Sequence, residues 1–441
     1  MAYIQKITTN IKSPNGGEYT VDLGQHTLLI GENEAGKSGI AEACQLARTG
    51  EAYGLLWRPK TVKDGKLLSL LTPTDSTECS ATAMLDTGEF CEWKLKLGSR
   101  PKHSAPEGSV FTASEIHSVL AGSPETQVKF FAGALGISKA STKDIREEIS
   151  ENLHGFFDIM SADRDTLNLI AFIEKLGKDQ REQNNVSKAA QIALESLGTV
   201  TLVDDEELKG LMSMLQRSMS RDILRSIYLS YRADPTIQAS GVINHLTALL
   251  GGKESVQRIP LTEESLAEIG EAHFQKRMMR TAKVAKKGFD LAQEKKEAIK
   301  RLKDAMVKVL FERLERSPAR EEFVARVNTL LSGEQEFLFS VSPGKIEIGL
   351  QRDGQEHYAL SGSTEARVIA ALAGSLSSED DLIVVDDRMW DSTTLGQTLE
   401  VLRNAPGQVI IMSTVRPKGK QRAGWTYVTV ERERGEALKI S

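Results

Sequence analysis

Residues 31–38 read GENEAGKS, which satisfies the spacing G-x-x-x-x-G-K-[ST]. Each position has a chemical use. Gly31 and Gly36 let the backbone curl until successive N–H groups, those of Glu32, Asn33, Glu34 and Ala35 among them, converge on phosphate oxygens. Lys37 reaches the β- and γ-phosphates of a nucleotide, the Ser38 hydroxyl ligates Mg²⁺, and Gly39 continues the helix start. The apolar strand HTLLI precedes the loop and the helix-spaced run SGIAEACQLAR comes after it, which is the context that this motif requires.

Such a loop needs a second carboxylate for the metal. DDLIVVDD supplies one: an apolar strand, Leu382–Val385, ending in Asp386 and Asp387. Asp386 would hold Mg²⁺ directly or through water, and Asp387 would orient the attacking water. A strand leaving a core through two acids has the same appearance; its pairing with the phosphate loop favours the catalytic reading. A third stretch, ALSGSTEARVIAAL (359–372), places Ser361, Gly362, Ser363 and Thr364 before an apolar helix-compatible run. It reads as a helix start suited to an anion, and equally as a polar cap on a core helix. No lysine comes after it, so it is not a phosphate loop of its own.

The elements that must position these residues fall into three blocks. The N-terminal part alternates with period two through AYIQKITTNI and EYTVDLG, joined by a hairpin turn at Asn15-Gly16. Further strands are expected at 81–85, 90–97 and 108–112. From about Ser141, an N-cap candidate, the pattern becomes helical, with Ile145, Ile149, Leu153 and Phe156 at helical intervals. Glycines 155, 177 and 198 are expected to interrupt this arm, and Gly288 to kink its return. Thr262-Glu263-Glu264 starts a second long helix that could run to Ser317-Pro318, roughly 80 Å at about 1.5 Å per residue. After Pro318 strands return in EFLFSVS, KIEIGLQ, DDLIVVDD, QVIIMS and WTYVTVE. The expected organisation is therefore an α/β head made of residues 1–139 and 320–441, with an α-helical insertion at 140–319.

About 350 residues separate Lys37 from Asp386. With this spacing the chain resembles the SMC, SbcC, RecF and RecN group of ABC-type ATPases, whose two half-heads flank a helical arm. The resemblance implies that Leu360-Ser361-Gly362-Ser363 is the LSGG-type signature. Ser361, Gly362 and Ser363 would then contact the γ-phosphate of ATP held by the phosphate loop of a second subunit. Residues 111–136, FTASEIHSVLAGSPETQVKFFAGALG, match the family's strand, switch, helix, Pro break and second helix. The likeness covers roughly 1–136 and 320–441 and departs from the pattern at four positions. Ala113 stands near the place of the sensing glutamine, with Ser114 or Glu115 as substitutes. Asp387 replaces the catalytic glutamate, Ser363 the second glycine, and Thr414 the switch histidine. The resemblance implies an ATP-binding, slowly hydrolysing ATPase using ATP and Mg²⁺. Such a protein would form a homodimer or higher assembly through ATP-sandwiched heads. It would act on DNA in repair, recombination or end processing with a partner nuclease. The alternative is a nucleotide-gated scaffold or sensor of a phage or anti-phage system, in which hydrolysis is incidental.

Composition limits the other options. The 441 residues exceed one ordinary core, and 40% hydrophobic with 27% charged residues is a globular balance. The net charge of −5 excludes a surface basic throughout, so any nucleic-acid site must be local. Such a patch is offered by a basic run between Lys276 and Lys308, in which Lys276, Arg280, Lys283 and Lys287 share a helix face. A solvated helix face accounts for the same run. Trp57-Arg58-Pro59-Lys60 could clamp a nucleic-acid strand or simply pack, and an arm tip is expected around 237–250. Cys44, Cys79 and Cys91 have no metal-ligand spacing and fit a reducing compartment. The N-terminus reads as a strand, and no apolar run approaches the roughly 18 residues of a membrane span. A cytoplasmic location with no membrane partner is expected.

Overall fold

The structure, a computed structural model, describes residues 2–12, 17–53, 61–62, 71–73, 76–104, 109–162, 164–196, 263–331, 335–386, 391–431 and 439–440. The chain divides into two compact units, residues 1–171 with 305–441, and residues 172–304.

The first unit is built on a six-stranded sheet drawn from both ends of the chain. Its strands are β3 (His26–Ile30), β9 (Val110–Thr112), β15 (Leu382–Val385), β16 (Gln408–Ser413), β17 (Thr426–Glu431) and β18 (Lys439–Ile440). They are ordered β18-β17-β3-β16-β15-β9, and all are parallel except the edge strand β18. β3, β15 and β16 are buried at every position. That explains their continuous apolar runs, because a parallel sheet covered on both faces has no polar side to show.

A second, five-stranded antiparallel sheet runs β2 (Tyr19–Asp22), β1 (Ile4–Thr9), β6 (Glu78–Leu85), β7 (Phe90–Lys96), β8 (Lys102–Ser104). β6 and β7 alternate buried and exposed positions, so one face is in the core and the other open. Helix α1 (Lys37–Thr49) packs between the two sheets, and Ile40, Cys44, Leu46 and Ala47 are fully buried against them. Gln408 joins the sheets: its side chain exchanges hydrogen bonds with the backbone N–H and C=O of Ile4, both at 2.8 Å, and donates to Gly24 O at 3.1 Å.

Two short ribbons, β4 (Ala52–Tyr53) with β5 (Thr61–Val62) and β10 (Lys139–Ser141) with β11 (Thr166–Asn168), complete the N-terminal half. The helices between and after them are α2 (Ala113–Leu120), α3 (Pro124–Ala134), α4 (Thr142–Glu148), α5 (Glu151–Ser161) and α6 (Leu169–Ser196). In the C-terminal half α7 (Glu263–Arg316) and α8 (Pro318–Leu331) precede a three-stranded antiparallel sheet of β12 (Glu336–Ser342), β13 (Lys345–Arg352) and β14 (Gln355–His357). Helices α9 (Gly362–Leu376) and α10 (Ser392–Leu402) come next. α8, α9 and α10 pack on one another. Phe131, Phe323, Phe337 and Phe339 form an aromatic cluster of α3, α8 and β12, with centroids 4.8–6.3 Å apart. The second unit holds the greater part of α6 and α7, with Ile173, Leu176, Ala292, Ile299 and Leu302 buried.

The fold class is the expected one, but the helical segment differs in detail. Ser141 does cap α4, accepting from Lys143 N. That helix stops at Glu148, and Ile149 is extended before Ser150 begins α5. Gly155, Gly177 and Gly288 interrupt nothing: each lies inside a helix with open space where a Cβ would stand. A glycine there costs about 1 kcal/mol in propensity, too little to end a helix held by its neighbours. Thr262, Gly198, the 57–60 stretch and the 237–250 tip lie outside the described residues.

Candidate functional site

The carboxyl ends of the parallel strands share one edge, where ligands of open α/β sheets bind. β3 leaves that edge into Gly31–Gly36, β15 into Asp386, β16 into Thr414 and β9 into α2. Ile30 is paired with Ser413 and Val385 with Ile411, which itself faces Leu28, so β15 ends two residues short of β3 and Asp386 continues toward the start of the loop. Only β16 separates β3 from β15, a lateral spacing of about 10 Å for two strand intervals. Phosphate loop and Asp386, far apart in sequence, are thus brought to one place.

The loop is held by its own backbone. Gly31 N–H donates to Ser413 O at 3.1 Å and Ala35 N–H to Glu32 O at 3.2 Å. A Cβ on Gly31 would stand 2.2 Å from the Val430 carbonyl oxygen, so no side chain fits where the loop passes β17. Glu34 has φ 68° and Gly36 φ 109°. These turns into the left-handed region curl successive amides into an anion-binding concavity, and the one at Glu34 is a strained position of the sort found at ligand sites. Gly36 then caps α1, whose N-terminus carries no acidic residue and no capping side chain. Its dipole and amides are left to an external anion.

Lys37 is 6% exposed, and its Nζ donates to Gly31 O at 2.6 Å and Glu32 O at 2.9 Å. Glu32, Asn33, Glu34 and Ser38 are not buried, while Ala35 and Gly39 are. Asp386 is half-buried and accepts a hydrogen bond from the Ser114 hydroxyl. Ala113 is buried and presents only a methyl group. The polar contact from the β9–α2 junction to the acidic strand therefore comes from Ser114. Asp387 lies outside the described residues. Thr414 is exposed at the end of β16.

Two further groups surround this edge. Glu42, one turn beyond Ser38 on α1, pairs with Lys12 at 2.7 Å. Burial pushes its carboxyl above the ordinary range; the Lys12 ammonium opposes this, and the charge of Asp386 adds to it. This pair was not legible in the sequence, since nothing in the spacing of Lys12 and Glu42 signals contact. Glu115, capped at its N–H by Thr112 Oγ1, has its carboxyl pushed up to about 7 by burial, with Glu51 adding repulsion. Its folded value lies above the unfolded one, so the native state binds the extra proton between about pH 4.5 and 7, and stability falls as pH rises through that window. Glu115→Gln should flatten thermal stability against pH over that interval and raise the melting temperature at pH of about 8, read by differential scanning calorimetry.

The 361–363 stretch sits at the exposed N-terminus of α9. Ser361 is the N-cap residue, but its side chain caps no helix amide; its Oγ lies 2.9 Å from Thr364 Oγ1. Gly362 has nothing within 4 Å of a virtual Cβ. The first-turn amides are thus open to an approaching group from outside. Glu365 in the same turn pairs with His117 of α2 at 3.3 Å, tying this helix to the β9–α2 junction. In the second unit, Arg280, Lys283 and Lys287 are exposed on α7, and Lys276 lies where only the backbone is described. Among the described residues, no helix is long and apolar enough to cross a membrane.

No family model and no curated protein sequence matches this chain. Among solved structures the chain is similar to the Smc head domain with a coiled coil and joint from Pyrococcus yayanosii, at 14% identity and TM-score 0.45, covering 100% of this chain and 97% of that one. It is also similar to the recombination mediator protein RecF-ATP of the RecFOR pathway, at 12% identity and TM-score 0.42, covering 100% and 98%. A third likeness is to the SMC head domain from Thermotoga maritima, at 12% identity and TM-score 0.34, covering 99% and 98%.

Proposed function

We propose that this chain is an ATP-binding head of the SMC/SbcC kind that hydrolyses ATP slowly and dimerises around it. The observation that carries the reading is the shared carboxyl edge, where the Gly31–Ser38 loop and Asp386 meet across β16. The Ser38 hydroxyl and the Asp386 carboxylate are hard oxygen donors, the chemistry that suits Mg²⁺ with nucleotide phosphates completing its sphere. Mg²⁺ held there would neutralise charge developing on the nucleotide phosphates. Lys37 would leave the Gly31 and Glu32 carbonyls for the phosphates, the loop amides would hold the β-phosphate, and Asp387 would orient water.

A second chain would contribute Ser361, Gly362 and Ser363 over the γ-phosphate, using the open first turn of α9. DNA would lie on the dimerised heads or along Arg280, Lys283 and Lys287 of the arm, within the insertion 140–319, and a separate nuclease would cut it. The second reading, an ATP-gated scaffold, is favoured by one observation: Ala113 is buried where a polar sensor would reach the nucleotide.

Steady-state ATP turnover with and without double-stranded DNA separates the two readings. Asp386→Asn should lower Mg²⁺-dependent turnover by about 100-fold or more, since it removes metal charge compensation in the transition state. Turnover unchanged in that variant contradicts the hydrolytic assignment. Strong stimulation by DNA supports the DNA-acting head, and ATP-dependent assembly indifferent to DNA supports the scaffold.

A further inference from the structure

Away from the phosphate loop, the first unit contains a cavity of about 460 Å³, within the range of small-ligand pockets. Its walls come from the end of α8, Gln335, α9, α10 and the segment after β16. Among the described residues, three cations line it, Arg367, Lys418 and Arg422, against one carboxylate, Glu400. That carboxylate is already engaged, by Arg422 at 3.4 Å and by Arg403 at 3.9 Å. In a chain of net charge −5, a cationic cluster around a hollow, with Lys418 and Arg422 at its exposed rim, runs against the overall balance.

The main chain is fixed at two of the cations. Lys418 N–H donates to Ser392 O at 3.0 Å, and Arg422 N–H to the Tyr427 hydroxyl at 2.9 Å. Arg367 donates to Gln335 Oε1 at 3.2 Å, while its Nε–H is buried without an acceptor. A buried unsatisfied donor costs about 1–3 kcal/mol, so this guanidinium is only partly satisfied by the chain. The N-terminus of α10 adds little, because Asp391 already accepts from the Thr393 and Thr394 amides at 2.7 and 2.8 Å.

Gly396 of α10 also lines the cavity. A Cβ there would meet only Arg422 Nη2, at an ordinary 3.5 Å. Packing therefore does not demand glycine in this helix, where it costs about 1 kcal/mol relative to alanine. Its effect is to leave the space before Arg422 open.

We propose that this cavity binds a small phosphate-bearing ligand, of the pyrophosphate or nucleotide class, at a site separate from the phosphate loop. Two guanidiniums and an ammonium line a concavity of molecular size, and guanidiniums suit phosphate oxygens bidentately. Cations arranged around a hollow serve a small anion; a nucleic-acid backbone is tracked by cations along a ridge or groove.

The test is calorimetric titration of the full chain with sodium pyrophosphate, and in a second arm with a single DNA strand of about 20 nucleotides, longer than one typical single-strand site. The wild type should bind pyrophosphate at two sites per chain and the Lys37→Ala variant at one. In the Lys37→Ala background, Arg367→Gln with Arg422→Gln should weaken the remaining site at least about 10-fold. Gly396→Asp, which adds a carboxylate beside Arg422 without crowding, should do the same, and Lys283→Gln on the arm should change nothing. Circular dichroism melts of each variant check that the fold is kept. No saturable binding in Lys37→Ala, or binding indifferent to both cavity variants, overturns the proposal. DNA binding that is lost with the cavity variants while pyrophosphate fails to bind would instead assign the surface to nucleic acid.

Discussion

Lys37→Ala should lower ATP affinity by about 100-fold or more, a change of roughly 2.8 kcal/mol at about 1.4 kcal/mol per decade. The lysine is the one side chain of the loop placed to meet the phosphates with a full positive charge, and charge-assisted hydrogen bonds contribute about 1.5–3 kcal/mol each. The loss should not come from collapse of the loop. Gly31 N–H to Ser413 O, Ala35 N–H to Glu32 O and the Gly36 cap do not involve the lysine side chain. The carbonyls of Gly31 and Glu32 lose a donor, so a modest drop in melting temperature should accompany the affinity change. Equilibrium titration with a fluorescent ATP analogue checks this, and wild-type affinity in the variant would remove the phosphate-loop assignment.

Local chemistry was legible wherever the sequence determines the backbone over a few residues. GENEAGKS between an apolar strand and a helix, the apolar run Leu382–Val385, and the Ser123-Pro124 start of α3 all appear as read, with Ser123 accepting from Thr126 N and Pro124 at the first helical position. Helix ends were less legible. The expected Ile145–Phe156 face holds through Ile145 and Ile149, but the chain breaks at Ile149 and the second helix buries Phe157, with Leu153 and Phe156 only partly covered. Glycines in α5, α6 and α7 misled for the converse reason: propensity is a small term beside a helix's tertiary packing.

The site was legible in its parts and not in its assembly. Sequence order says nothing of β16 lying between β3 and β15, although that order sets the spacing of loop and carboxylate. The resemblance left Ser114 and Glu115 as alternatives beside Ala113, and the two side chains stand in different environments. Ser114 reaches Asp386, while Glu115 is partly buried near Glu51 with a carboxyl that titrates near neutrality. Lys12 with Glu42, and Arg367 with Lys418 and Arg422, come together only through long-range folding. No periodicity within one segment announces such contacts.

The second large effect concerns Ser361. Its side chain is exposed and, among the described residues, hydrogen-bonds to Thr364 Oγ1, so replacing it should cost the monomer no more than about 1 kcal/mol. Arginine there would place a long cation over the open turn at Gly362 and at the positive end of the α9 dipole. A nucleotide shared between two heads could no longer be closed on, while binding at the phosphate loop of the same chain would be untouched. The most direct measurement is therefore molar mass by size-exclusion chromatography with light scattering, in ATP and Mg²⁺, for the wild type and Ser361→Arg. The shared-site account predicts that ATP doubles the wild-type mass and leaves the variant monomeric with ATP bound. A wild-type mass unmoved by ATP, or an arginine variant that still doubles, would contradict it.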